Sequence, residues 1–179
     1  FDSARKSGDV IAQETETGYY VLYFLSRNTN DTQLVNIRHI LLSATDTSDE
    51  TAMAEAKQKA EDVLAEYEAG EQTEEAFAEL AKTYSADTGA ADGGLYENVY
   101  PGQMVENFND WCFDASRQPG DVGIVETEYG YHVIYFVGRS DTTYCDYLVE
   151  NALRSNDYTA WENSITDGAT YAFNASAMK

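Results

Sequence analysis

The stretch Gly120–Phe136, GDVGIVETEYGYHVIYF, occurs twice in this chain of 179 residues. Phe1–Arg27 reads FDSARKSGDVIAQETETGYYVLYFLSR, and Phe113–Arg139 reads FDASRQPGDVGIVETEYGYHVIYFVGR. Aligned without a gap at an offset of 112, the two share 15 of 27 positions. A period of that size is a whole domain, far beyond the roughly 20–50 residues of a solenoid repeat. The chain is therefore expected to open inside the tail of a first domain copy and to continue into a complete second one. Each copy reads as a Gly-Asp turn, a short strand, a glycine turn and a longer apolar strand. One difference bears on chemistry: Tyr20 stands where the second copy has His132.

Composition narrows the function. Hydrophobic residues make up 43% of the chain and aromatics 13%, with two prolines, which is a folded composition. A chain of 179 residues is long enough for one well-buried domain with appendages and short for two complete ones. The net charge is −21, from 32 acids against 11 bases. Nothing here neutralises a run of phosphates, so nucleic acid is excluded as a partner and anionic membrane surfaces are disfavoured. The ordinary consequence of such acidity is solubility; the sharper one is attraction for basic, unfolded client chains. Cys112 and Cys145 have no metal-ligand spacing and make no disulfide scaffold. Cys112 lies in an apolar helical run and reads as a small buried hydrophobe. No segment approaches ~18 consecutive apolar residues, the length of a membrane span.

Working outward from the repeat, residues 1–7 read as the end of a helix, and Val10–Gln13 and Tyr19–Leu25 as strands. YYVLYFL is too apolar to be left in water. It is expected to pair with a C-terminal strand near ATYAFN or with another chain, self-association through this hairpin included. The polar run NTNDT, 28–32, marks a boundary. Val35–Leu42 is a strand in which Val35, Ile37, His39 and Leu41 share a face. Asp49–Ala69 is an amphipathic helix, with Thr47 and Glu50 as a capping box and Gly70 at its end. Its stripe is Met53, Ala56, Ala60, Val63, Leu64 and Tyr67. Thr73 caps a second helix, whose inner face is Phe77, Leu80, Ala81 and Tyr84. Tyr84–Gly94, YSADTGAADGG, is a loop, and Leu95–Val99 a short strand. Gln103–Ser116 is a third helix, with Met104, Phe108, Trp111 and Cys112 at helical spacing. In the last strand His132, Ile134 and Phe136 share a face. Thr143–Gly168 is helical, bent or broken at Ser155–Asn156, and ATYAFN follows as a strand.

Four motifs in this order resemble the parvulin family of peptidyl-prolyl cis–trans isomerases. RHILL, Arg38–Leu42, is similar to the first-strand histidine motif. YSADTGAADGG resembles the loop that ends in paired glycines. GQMVENF, Gly102–Phe108, is similar to the segment with a pocket methionine and phenylalanine. GDVGIVETEYGYHVIYF resembles the C-terminal signature with Gly-Tyr-His before the last strand. The resemblance implies an α+β fold: a four-stranded antiparallel sheet surrounded by helices. A helical C-terminal appendage and an N-terminal hairpin from a preceding degenerate copy are added to it. The expected organisation is 1–27 for that tail, 28–33 for a linker, 34–139 for the isomerase domain and 140–179 for the appendage with its final strand.

By the same resemblance His39 and His132 match the family's histidine pair, and Asp87 aligns with a position that is Cys or Asp. Thr127 matches the hydroxyl residue beside the histidines, and Met104 and Phe108 match the floor of the proline pocket. Tyr96 stands where leucine is common and Tyr129 replaces a serine or phenylalanine, so both depart from the pattern at the substrate-binding wall. The implied activity is isomerisation of X-Pro bonds in unfolded or secreted clients, by His39, Asp87, Thr127 and His132, without cofactor or metal. The phosphoserine-specific subfamily uses a basic loop after the first strand. Here that loop is SATDTSDETA, with Asp46, Asp49 and Glu50, which repels phosphate and implies no phosphopeptide preference. The resemblance to bacterial foldases implies an extracytoplasmic location, with membrane attachment through a segment upstream of Phe1.

Blander readings stand beside these. A strand histidine is ordinarily a satisfied core residue, Met104 and Phe108 can be plain core, and Asp87 can be a turn cap. Residue type also allows a metal at His39, His132 and Asp87. A non-catalytic client-binding module on the same scaffold, or a structural surface protein, competes with the isomerase.

Overall fold

The apolar runs RHILL and YHVIYF lack the alternation of a half-exposed strand because both faces of their sheet are covered. The computed structural model describes residues 4–27 and 29–167. These fall into two units that divide after Asn30.

The larger unit is an α+β domain. Its strands are β3 (Gln33–Ser43), β4 (Leu95–Val99), β5 (Val122–Thr127) and β6 (Gly130–Thr143); the smaller unit holds β1 (Val10–Thr15) and β2 (Gly18–Tyr23). The four strands of the larger unit form one antiparallel sheet in the order β4-β3-β6-β5. The helices are α1 (Glu50–Ala69), α2 (Glu74–Tyr84), α3 (Glu106–Phe113) and α4 (Tyr144–Thr166). On one face Ile40, Leu42, Tyr131, Val133 and Tyr135 pack against Ala56, Ala60, Val63 and Tyr67 of α1 and Phe77 and Ala81 of α2. On the other face Val35, Ile37, Ile134 and Phe136 pack against Phe108 and Cys112 of α3. Consecutive residues of the central strands therefore point into two different cores.

Several boundaries differ from the sequence reading. Asp49, not Thr47, caps α1: its side chain accepts from the Thr51 N–H, and the first turn then starts at Glu50. Gly70 ends α1 at φ −94°, and Gln72 takes the left-handed conformation at +52°. Tyr84 is exposed, its hydroxyl donating to Glu66. The 84–94 loop contains a 3₁₀ turn over Thr88–Asp92, capped by Asp87. Helix α3 is shorter than expected and starts at Glu106, so Met104 precedes it. Helix α4 is unbroken through Ser155 and Asn156. Thr143 and Asp146 start α4 with a capping box, and Tyr144 and Tyr147 stack on Tyr100 at 5.2 and 5.1 Å. Strand β6 runs past Arg139 to Thr143, directly into α4. The expected strand at ATYAFN lies outside the described residues.

The smaller unit is a hairpin of β1 and β2, in register from Val10↔Tyr23 to Thr15↔Gly18. Ala4–Ser7 form no helix. Tyr19, Val21 and Tyr23 of β2 are exposed.

Candidate active site

Strands β3, β6 and β5 carry one polar residue each onto the α3 face, and the register brings the three into a row. His39 lies opposite Ile134 and His132 opposite Leu41, so the histidines are diagonal neighbours on adjacent strands. Their Nδ1 atoms are 3.1 Å apart. Thr127 ends β5 opposite Gly130, and its Oγ1 lies 3.0 Å from His132 Nε2. All three are buried. Phe108 presents its ring to both histidines, edge to face, at 5.4 and 5.1 Å.

The fourth polar member arrives through the 3₁₀ turn. Gly94 lies at φ +67°, and a Cβ there would come within 2.2 Å of the His39 carbonyl oxygen. Only glycine admits so close an approach, and His39 N–H donates to the Gly94 carbonyl at 3.0 Å. This seats the turn on β3 and sets Asp87 Oδ2 at 3.6 Å from His39 Nε2. That separation is a charge contact rather than a hydrogen bond, and among the described residues His39 Nε2 has no hydrogen-bond partner. Asp87 Oδ2 accepts from the Gly89 N–H at 2.7 Å and from the Tyr96 hydroxyl at 2.9 Å. Tyr96 in turn packs edge-on against the His39 ring at 4.9 Å.

These contacts decide protonation. Burial pushes the Asp87 carboxyl up, but the bonds from Gly89 and Tyr96 and the nearby His39 outweigh it, and its pKa lies below the usual value. Burial lowers the His39 pKa, with Asp87 opposing. Burial, then the neighbouring His39, lowers His132 to about 4. At neutral pH the rings are neutral beside an ionised Asp87. Thr127 Oγ1 accepts from the Tyr129 N–H at 3.2 Å, and its hydroxyl faces both the Gly130 carbonyl at 3.4 Å and His132 Nε2 at 3.0 Å. The ionised Asp87 favours a proton on His39 Nε2; His39 Nδ1 then accepts from the His132 Nδ1–H, and His132 Nε2 from the Thr127 hydroxyl. The reverse arrangement would turn a nitrogen lone pair toward a carboxylate. Three of the four ring nitrogens are thus engaged with each other and with Thr127, and a metal would have to break that row.

A cleft of about 340 Å³ opens over this row. Its lining includes His39, Asp87, Tyr96, Met104, Phe108, Tyr129 and His132, so every residue expected from the sequence lines it except Thr127, which lies behind His132. Leu41, Gln103 and Val105 also line the cleft. Leu41 shares the His39 face, which was legible by period two. Gln103 and Val105 are not legible in the sequence, because a helix over this segment would turn the neighbours of Met104 away, whereas the helix starts only at Glu106. Cys112 is buried below Phe108, its thiol pushed up to about 12 by burial, and is no nucleophile.

The PPIC-type PPIase domain matches residues 8–139. The chain belongs to the parvulin family. Among the relatives, the chaperone SurA of Pseudomonas fluorescens is 31% identical over 181 residues, covering 93% of this chain and 40% of the relative. The foldase protein PrsA 1 of Listeria innocua is 40% identical over 68 residues, covering 37% of this chain and 23% of the relative. The chain thus spans about 40% or less of the length of these two. A solved PpiC-type peptidyl-prolyl isomerase domain aligns with a TM-score of 0.54 at 24% identity, over 64% of this chain and 97% of that one. It shares the parvulin fold.

Proposed function

We propose that this domain catalyses cis–trans isomerisation of X-Pro bonds in unfolded polypeptide clients. The observation that carries the proposal is the juxtaposition of an apolar cleft, walled by Met104 and Phe108, with the buried His39–His132–Thr127 row. Rotation about X-Pro meets a barrier of roughly 18–20 kcal/mol, set by amide resonance. No substrate bond is broken, so catalysis amounts to binding the twisted amide better than either planar form. The twisted amide is less polar, which suits an apolar, partly dry cleft holding the proline ring. As conjugation is lost the prolyl nitrogen pyramidalises and becomes a better acceptor. Among the described residues the His39 Nε2–H, favoured by Asp87, is a donor without a partner, and it suits that acceptor. Asp87 holds the proton on Nε2, and Tyr96 holds Asp87. Tyr129, exposed at the cleft rim, contacts the residues flanking proline.

The acidic loop after β3 and the overall charge support clients without phosphate and with basic residues. Similarity to SurA and PrsA supports an extracytoplasmic site of action on secreted chains. A second reading, client binding without catalysis, draws on α4, which exposes Leu148, Leu153, Trp161 and Ile165. Exchange NMR on a short Ala-Pro peptide separates the two. Isomerisation requires faster cis–trans exchange with protein present, lost on Phe108→Ala while the fold persists. Retained binding of an unfolded client with no acceleration at high protein concentration gives the site to the second reading.

A further inference from the structure

In the candidate site a dry donor stands beside a carboxylate and does not bond to it. His39 Nε2 is buried and, among the described residues, has no hydrogen-bond partner. Asp87 Oδ2 lies 3.6 Å away. A movement of about 0.7 Å would bring the pair to ~2.9 Å, an ordinary hydrogen-bond length. A buried unpaired donor is unfavourable, so something has to hold these two atoms apart.

Tyr96 is the residue placed to do so. It lies on β4 opposite Ile37, so it shares the α3 face of the sheet with Ile37 and His39 of β3. Its ring packs edge-on against the His39 ring at 4.9 Å, and its hydroxyl donates to Asp87 Oδ2 at 2.9 Å. The Gly89 N–H donates to the same oxygen at 2.7 Å. A carboxylate oxygen offers two lone-pair sites, and these two donors fill both on Oδ2. Gly89 also leaves room for the contact: a Cβ there would stand 3.0 Å from Asp87 Oδ2 and 3.2 Å from Tyr96 Cε2. Leucine, common at position 96 by the family resemblance, has no hydroxyl with which to make this bond.

We propose that Tyr96 is a positioning residue for the isomerisation: by filling a lone pair of Asp87 Oδ2 it keeps the His39 Nε2–H free for the prolyl nitrogen. The inference rests on the isomerase reading of the cleft and adds to it why the donor stays available beside a carboxylate. Asp87 then acts on His39 through charge, which favours the proton on Nε2, and not through a bond, which would occupy that proton.

Tyr96→Phe tests it, since the ring and its packing stay and only the hydroxyl goes. Oδ2 of Asp87 then has an open site, and the His39 Nε2–H should take it. The titratable groups facing the His39 ring are Asp87 from the 3₁₀ turn, Tyr96 from β4 and His132 from β6; α3 presents Phe108. Nitrogen NMR of the imidazole follows the outcome. In Y96F His39 is expected to titrate about 1 pH unit higher, because a carboxylate bonded to Nε2 favours the charged ring. Its Nε2 proton should also exchange more slowly with water. Cis–trans exchange of a saturating Ala-Pro peptide should slow by about 10-fold while its affinity changes by less than about 2-fold, since the donor acts on the twisted amide alone. In an Asp87→Ala background Y96F should leave His39 unmoved, because no carboxylate remains to close on it. An unmoved His39 in Y96F alone overturns the proposal even where activity falls, for Tyr96 is then cleft wall only. So does a His39 shift that persists without Asp87. The histidine readouts need no turnover, so they decide the inference separately from whether the protein isomerises.

Discussion

His132 shows how burial turns a residue type into a chemical state. Its pKa falls from 6.5 to about 4, so between those values the unfolded chain takes up a proton that the folded one refuses. The stabilisation is fully present above pH 6.5 and is lost as the pH falls toward about 4; His39 acts in the same direction. The expected result is a stability loss of roughly 1–2 kcal/mol between pH 7 and pH 5. Urea unfolding at the two pH values measures it, with His132→Gln as the reference. An equal pH dependence in wild type and variant would remove the histidine from the explanation. Gly94 makes the companion case in backbone terms. Gly94→Ala places a methyl where His39 O already stands and strains φ +67°, at a cost of at least about 1–3 kcal/mol. Calorimetry should show that loss, together with chemical-shift changes at His39.

At the level of elements, the 3₁₀ turn is the piece that connects scaffold to site, and Arg38 holds it. Its Nη1 donates to the carbonyls of Asp92 and Gly93 at 3.1 and 3.0 Å, and its Nε to Glu74 of α2 at 2.9 Å. Arg38→Met keeps the aliphatic packing and strands these acceptors, at about 1–3 kcal/mol. Thermal melts should register the loss, and isomerisation should fall because Asp87 and Tyr96 move with the turn. An active, stable R38M protein would show that β4 and the Gly94–His39 contact hold the turn without it. The same turn marks where sequence reading stopped short. Glycines and aspartates in YSADTGAADGG announced a loop, yet the 3₁₀ conformation depends on Asp87 capping Gly89, which tertiary contact with Tyr96 and His39 reinforces. Met104 likewise has helical spacing to Phe108 but sits before α3, where the Pro101-Gly102 turn redirects the chain. The strands were legible because two-sided burial leaves uninterrupted apolar runs. The helix ends were not, since competing caps such as Thr47 and Asp49 differ only in local geometry.

For the molecule as a whole, charge is the property that composition states most plainly and that no single contact expresses. A net charge of −21 sets up a field felt by a client before it reaches the cleft. That field reaches about 30 Å at 0.01 M salt and about 3 Å at 1 M, whereas the apolar cleft and the buried histidine row are little screened. Binding and chemistry should therefore separate under salt. A lysine-rich unfolded client is expected to bind on the order of 10-fold more weakly at 0.5 M than at 0.02 M salt, by fluorescence anisotropy. The exchange rate of a saturating neutral X-Pro peptide should change less than about 2-fold over the same range, because its contacts lie inside the cleft. An acidic client of matched length is the control, and it should bind more tightly as salt rises. Salt-insensitive binding of the basic client would mean that apolar surface, such as the exposed stripe of α4, does the recruiting and that the acidity serves solubility alone.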